Sequence, residues 1–348
     1  MKLIDYVKER DNNFNLIRIG AALAVLLTHS YPLALGGAAG EPMREWLGVT
    51  MGSIAVDLFF ITSGFLISAS LMRQPSLSAF IRARVLRIFP GLLVMLLLTV
   101  FVLGAALSTL PLAAYLASSQ THAYLAQCAT LFMGVSYTLP GVFAANPYPL
   151  AVNGSLWTMP YEVRLYSLLA AIWLVLRILP HWRPLVFRVL MLLFTLASGV
   201  AVLQEHFQGN SDDPTTQLFF MFFCGASFYC LRQYIVLSHR QFGLCLVALC
   251  LASVNRHAFF VTYLLTLGWI LCYLAYIPAG WIRRYNRIGD YSYGVYIYAF
   301  PVQQTIAAVL PGVTVGHMMW LSALLTLPLA VLSWHGVEQR CLRFKREG

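Results

Sequence analysis

Long apolar runs recur along the whole chain, separated by short polar segments, many rich in arginine. About 20 helical residues are needed to cross roughly 30 Å of hydrocarbon. By that measure ten segments stand out: 15–35, 54–73, 88–108, 155–176, 186–204, 215–232, 241–255, 257–277, 289–310 and 316–338. The seventh is the shortest. The polar segments alternate in charge, as expected when Lys and Arg accumulate on the cytoplasmic side. Lys2, Lys8 and Arg10; Arg73, Arg82, Arg84 and Arg87; Arg177, Arg183 and Arg188; Arg232 and Arg240; Arg283, Arg284 and Arg287; and Arg340, Arg343, Lys345 and Arg346 fall on one side. From Ile88 to Val163 there is no Lys or Arg, although this stretch holds the longest loop, about residues 109–154. The pattern predicts an all-α integral membrane protein, a bundle of about ten transmembrane helices. The 109–154 loop is then outside and both termini cytoplasmic. The first run follows 14 residues that include several polar and charged ones and lacks a small-residue cleavage site after it, so it is expected to be a retained helix. Leu125 to Leu139, within the outer loop, is too short to span and is expected to be re-entrant or interfacial. No internal repeat appears, so nothing suggests a two-fold repeated transporter. A single membrane domain over residues 1–348 is expected.

Composition agrees with that pattern and removes one class of function. The chain is 59% hydrophobic and 10% charged, where soluble domains carry about 25% charged residues. Its 23 Lys+Arg against 13 Asp+Glu give a net charge of +10. Topology accounts for that excess, and a nucleic-acid partner is not expected. Seven cysteines without a C-x-x-C pair indicate neither a disulfide framework nor a zinc site. His122, His181, His206, His239, His257 and His317 lack metal-ligand spacing, and no metal is expected.

Candidate chemistry lies in the ionisable residues within the apolar runs, which are costly unless they face a cavity or a partner. Arg18 and His29 are eleven residues apart. In a helix that is about 20° from three full turns and about 16 Å along the axis, so both share a face, Arg18 near the cytoplasm and His29 near the outer surface. A snorkelling arginine and an interfacial histidine are the bland alternatives. Asp57 opens the second run at the depth of His29, and Glu162 and Arg164 begin the fourth. Either carboxylate could orient and polarise His29, as in catalytic imidazole sites, while Arg164 fits a structural ion pair better. Ser155 reads as a helix N-cap rather than a nucleophile. At the inner face Arg82, Arg84 and Arg87 precede Pro90. Arg84 and Arg87 share a helix face and join Arg18 at the cytoplasmic level, a cluster that suits the phosphates of a long anionic cofactor through forked hydrogen bonds; plain membrane anchoring is the alternative. Tyr291, Tyr293, Tyr296 and Tyr298 read as an interfacial aromatic belt, Asp290 as a helix cap, and His335 with Glu338 as a helix-end pair.

In order along the chain, Arg-x10-His (Arg18, His29), VDLFFITSGFLI with Asp57, Ser63 and Gly64, RARVLRIFP with Arg84, Arg87 and Pro90, SLWTMPYE with Trp157 and Glu162, GDYSYGVYIYAFP and the terminal Glu338 resemble the acyltransferase-3 family of membrane O-acyltransferases. The resemblance covers nearly the whole chain. It implies a ten-helix bundle in the bacterial inner membrane that takes an acyl group, usually acetyl, from cytoplasmic acyl-CoA. The group is delivered to a hydroxyl of a cell-surface or lipid-linked glycan. By position, His29 matches the catalytic histidine and Arg18 its motif partner, with Arg84 and Arg87 near the CoA. Many members carry a histidine where this chain has Ala299. Some carry a fused extracytoplasmic SGNH-type esterase domain; none is expected here, so transfer finishes within the membrane domain or on a separate extracytoplasmic partner. A non-enzymatic transporter or flippase of a lipid-linked sugar, its polar path lined by Arg18, His29 and Glu162, is the alternative from another class.

Overall fold

The computed structural model describes residues 2–7, 11–38, 40–73, 76–210 and 213–344. Lys8, Arg10, Lys345 and Arg346, counted above among the cytoplasmic basic residues, lie outside them. Among the described residues the regular structure is helical, and β pairing is limited to one isolated antiparallel bridge, Lys2 to Val236.

Each of the ten apolar segments contains a helix: α1 (Phe14–Leu35), α2 (Met51–Arg73), α3 (Leu77–Leu97), α4 (Met159–Val175), α5 (Arg183–Gln208), α6 (Thr215–Cys230), α7 (His239–Ala252), α8 (Arg256–Tyr276), α9 (Ser292–Val309) and α10 (Val315–Ser333). Among the described residues seven stretches are long and apolar enough to cross a bilayer: those built on α1, α2, α3, α4, α5, α8 and α10. The other three fall short for physical reasons. With 16 and 14 residues, α6 and α7 reach only about 24 and 21 Å at 1.5 Å per residue. Helix α9 has 18 residues but carries Gln303 and Gln304 among them.

Capping residues set several starts. Asn153, Ser238, Asn255 and Thr314 accept from backbone N–H groups of the turns they open, satisfying donors that a helix leaves bare. Helix α3 runs on as a π-helix, Leu98–Gly104. The Tyr115 hydroxyl, from the loop helix Leu112–Ala117, donates to the Val100 carbonyl at 2.9 Å. It thereby supplies a donor where the i→i−4 ladder is broken. The stretch expected to be re-entrant is divided: its first part belongs to the helix Ser119–Thr130, and the rest is irregular, with Phe132 and Met133 exposed.

The chain forms two compact units, each discontinuous in sequence. The first comprises Met1–Ala21, Pro42–Leu77 and Leu165–Gly289. Its centre is the crossing of α2 and α6. A Cβ at Gly64 would overlap the Phe222 carbonyl, and one at Gly225 the Ile61 carbonyl. Backbone meets backbone there, as small residues permit between membrane helices. Around the crossing pack Phe65, Tyr229 and Tyr276, and Asn13 ties the start of α1 to the Leu274 and Pro278 carbonyls.

The second unit comprises Ala22–Glu41, Ser78–Arg164 and Asp290–Gly348. It is organised on α9, which packs on α10; a Cβ at Gly294 would fall 2.7 Å from Ala330 Cα. The loop before α4 is sewn to α9 by Gln304, whose amide donates to the Tyr148 and Ala151 carbonyls at 2.8 and 2.6 Å and accepts from Asn146 at 2.7 Å.

Candidate active site

The second unit holds His29, Glu162, Arg84 and Arg87; Arg18 and Asp57 belong to the first. Helix α1 is continuous from Arg18 to His29, so the shared helix expected for that pair is present, and both residues are half-buried. The His29 ring meets Phe300 of α9 edge to face, centroids 5.3 Å apart at 78°. Its Nδ1 is buried and has no hydrogen-bond partner. Phe300 is backed by Gly154, where a Cβ would lie 2.6 Å from the phenyl ring. Beside His29, Ser30 donates to the Leu26 carbonyl, and Gln303 donates to both Leu26 O and Ser30 Oγ at 2.8 Å.

Asp57 is buried in the first unit, where it accepts from the Tyr263 hydroxyl at 2.6 Å and from Gln217 Nε2 at 2.7 Å. Its hydrogen bonds run to α6 and α8, partners that spacing along the sequence did not suggest.

Arg87 is the hub of a second cluster. It donates to Asp290 at 2.6 Å and to Glu338 at 3.4 Å, and its guanidinium lies over Tyr293 and Trp334 at 5.7 and 5.8 Å. Glu162, half-buried, interacts electrostatically with Arg87, Tyr293 and Tyr296. Ser292 and Ser333 donate to Asp290 and Glu338 at 2.5 and 2.9 Å. A guanidinium among carboxylates and ring faces is the arrangement that makes a buried charge tolerable. Arg84 lies over the Phe80 ring at 5.9 Å, and Arg82 is exposed.

Several expectations are corrected. Tyr293, Tyr296 and Tyr298 are buried, so they are interior residues and no interfacial belt; Tyr293 donates to the Ile88 carbonyl, and Tyr296 shares a 2.6 Å hydrogen bond with Thr158. The cap before α4 is Asn153, whose Oδ1 accepts from the Ser155 amide, and the Ser155 hydroxyl is buried without a partner. Glu338 turns to Ser333 and Arg87, while His335 bonds Tyr291 and Gln339, because Trp334–Glu338 is π-helical and its register is shifted. Arg164 is exposed and donates to the Phe132 carbonyl. Sequence reasoning passed over Gln303, although two adjacent glutamines in an apolar run are an intramembrane polar signal of the same kind as His29.

Comparison with known proteins fits this geometry. The profile described as an acyltransferase domain, that of the acyltransferase-3 family, matches residues 11–335. The chain belongs to the acyltransferase-3 family and is a multi-pass membrane acyltransferase. It is 29% identical over 350 residues to the O-acetyl transferase of Shigella phage Sf6, covering 96% of each chain. It is 27% identical over 368 residues to Nodulation protein 10 of Rhizobium leguminosarum bv. viciae, covering 96% of this chain and 94% of that protein. No solved structure matches it.

Proposed function

We propose that this protein transfers an acyl group, acetyl foremost, from cytoplasmic acyl-CoA to a hydroxyl of a cell-surface or lipid-linked glycan, in a bacterial inner membrane with both termini inside. The observation that carries the reading is His29: a histidine inside a membrane helix of an acyltransferase, whose Nδ1 is buried and has no hydrogen-bond partner among the described residues. The imidazole takes the proton of the acceptor hydroxyl. The acceptor oxygen attacks the acyl carbonyl, a C–O bond forms, the C–S bond breaks, and the proton leaves with the departing thiolate as CoA thiol. The O-acetyl transferase of the Shigella phage supports acetyl as the group and oxygen as its destination.

On the donor side, Arg84 and Arg87 of the second unit are the proposed phosphate ligands. Arg87 would exchange carboxylate partners to serve, and Arg84→Ala should weaken acyl-CoA binding by about 1.5–3 kcal/mol. Glu162, within the electrostatic reach of Arg87 and Tyr296, acts by setting the charge around α9.

The test is a deletion strain compared with its parent. Membranes from the parent should move radiolabel from acetyl-CoA into surface glycan, and the deletion should abolish both this and the glycan's native acyl groups. Unchanged acylation in the deletion strain would remove the proposal.

A further inference from the structure

Besides His29 Nδ1, two other buried polar atoms in the second unit have no hydrogen-bond partner among the described residues: Ser155 Oγ and Gln303 Oε1. Both side chains are fully buried. His29 and the Gly154–Ser155 turn adjoin the same aromatic ring, and Gln303 is bonded to Ser30, next to His29. His29 touches Phe300 directly, Ser155 follows the glycine against which Phe300 packs, and Gln303 lies one turn along α9 from it.

The orientation of each is fixed by what surrounds it. The Gln303 Nε2 faces the Leu26 carbonyl, which can only accept, so the amide cannot be reversed and Oε1 is the free atom. Asn153 Nδ2 likewise donates to the Ile297 carbonyl at 2.9 Å, which leaves its Oδ1 for the Ser155 amide at 3.2 Å. The Ser155 backbone is therefore pinned while its hydroxyl is left over. A buried polar group without a partner costs about 1–3 kcal/mol, and protein interiors rarely keep two such groups beside a third without a ligand or water to bind them.

We infer that Ser155 and Gln303 bind the acyl acceptor, and that the acceptor is a polyol edge: a sugar presenting a second hydroxyl next to the one that is acylated. Gln303 Oε1, an obligate acceptor, takes the hydrogen of the neighbouring hydroxyl. Ser155 Oγ, which can donate and accept, bonds the sugar beside it. His29 Nδ1 receives the reacting hydroxyl. The arrangement selects a pair of hydroxyls over a lone alcohol, because an acceptor lacking the second group leaves Gln303 Oε1 buried and unpaired. This inference rests on the acyl-transfer reading above and deepens it.

The experiment uses the full chain in lipid nanodiscs, acetyl-CoA as donor, and alkali-deacylated surface glycan from a strain lacking this protein as acceptor. Ser155→Ala should raise the KM for glycan about tenfold, the loss of one hydrogen bond of about 1.4 kcal/mol. The KM for acetyl-CoA should hold. Thermal stability should be unchanged or higher, since an unsatisfied buried hydroxyl is removed. Ser155→Thr should recover part of the glycan affinity. Should Ser155→Ala fail to fold, Ser155→Cys keeps the volume with a weak donor and carries the same expectation. An unchanged glycan KM, or a shift confined to acetyl-CoA, overturns the inference and leaves Ser155 holding a buried water. Absence of transfer by the unaltered protein overturns the acyl-transfer reading instead, so the two failures are distinct.

Discussion

The crossing of α2 with α6 and the surroundings of α9 solve different problems with the same kind of sequence. At the crossing, Gly64 and Gly225 let two backbones touch and apolar side chains fill the flanks, with the Asp57–Gln217 bond as a polar link between the same two helices. Around α9 the interior is polar: Arg87 with Asp290 and Glu338, Tyr296 with Thr158, Asn146 with Gln304, and Gln303 with Ser30. In hydrocarbon, close packing is the cheap way to hold helices together, and buried polar groups are the expensive way. A polar interior is therefore worth maintaining where it serves chemistry. The first unit's crossing is built for rigidity, and the second unit's interior for a site.

That contrast can be broken most forcefully at Gly64. Gly64→Leu drives a side chain into the Phe222 backbone, which cannot yield, and should leave no monodisperse protein in detergent; ordinary overpacking costs only about 1–3 kcal/mol. A folded, stable variant would show that the crossing is looser than described. Next comes Arg87→Ala. It strips the cation from two buried carboxylates and should cost about 3–5 kcal/mol in a thermal or denaturant titration, with part regained on adding Glu338→Gln. An effect below 1 kcal/mol would mean that the pair is solvated. Smaller still is Gly154→Ala. Its methyl meets the Phe300 ring first, a side chain that can shift, so the loss should be about 1–2 kcal/mol, with acyl transfer falling by more than stability implies because Phe300 is moved against His29. Equal losses in both would make Phe300 a packing residue alone.

How far the sequence anticipated this differs by element. Each of the ten apolar runs contains a helix, and among the described residues seven of the stretches are long and apolar enough to cross a bilayer. Length alone could not tell α6 and α7 from spans, because a 14- or 16-residue helix and its flanks read as one apolar segment. The tyrosines of α9 were misread because three tyrosines at the end of an apolar run look alike whether lipid or another helix covers them; only Ile88 and Thr158, far away in the chain, decide it. Nothing local announces the π-helix at Leu98–Gly104, whose Val100 carbonyl is met by a tyrosine fifteen residues on. Glu338 lies 251 residues from Arg87, a pairing no helical periodicity reaches. The Arg18–His29 helix was legible because both residues sit on one continuous element.

The central claim is that His29 takes the acceptor's proton, and His29→Gln tests it most directly. Glutamine keeps a polar side chain of similar reach but cannot accept a proton at neutral pH. Acetyl transfer from acetyl-CoA to deacylated surface glycan should fall by the 10²–10⁴-fold that general-base assistance typically supplies, with expression, thermal stability and acetyl-CoA binding near those of the unaltered protein. Transfer by His29→Gln within about threefold of the unaltered rate, a barrier change under 1 kcal/mol, would contradict the claim and return His29 to a packing role against Phe300.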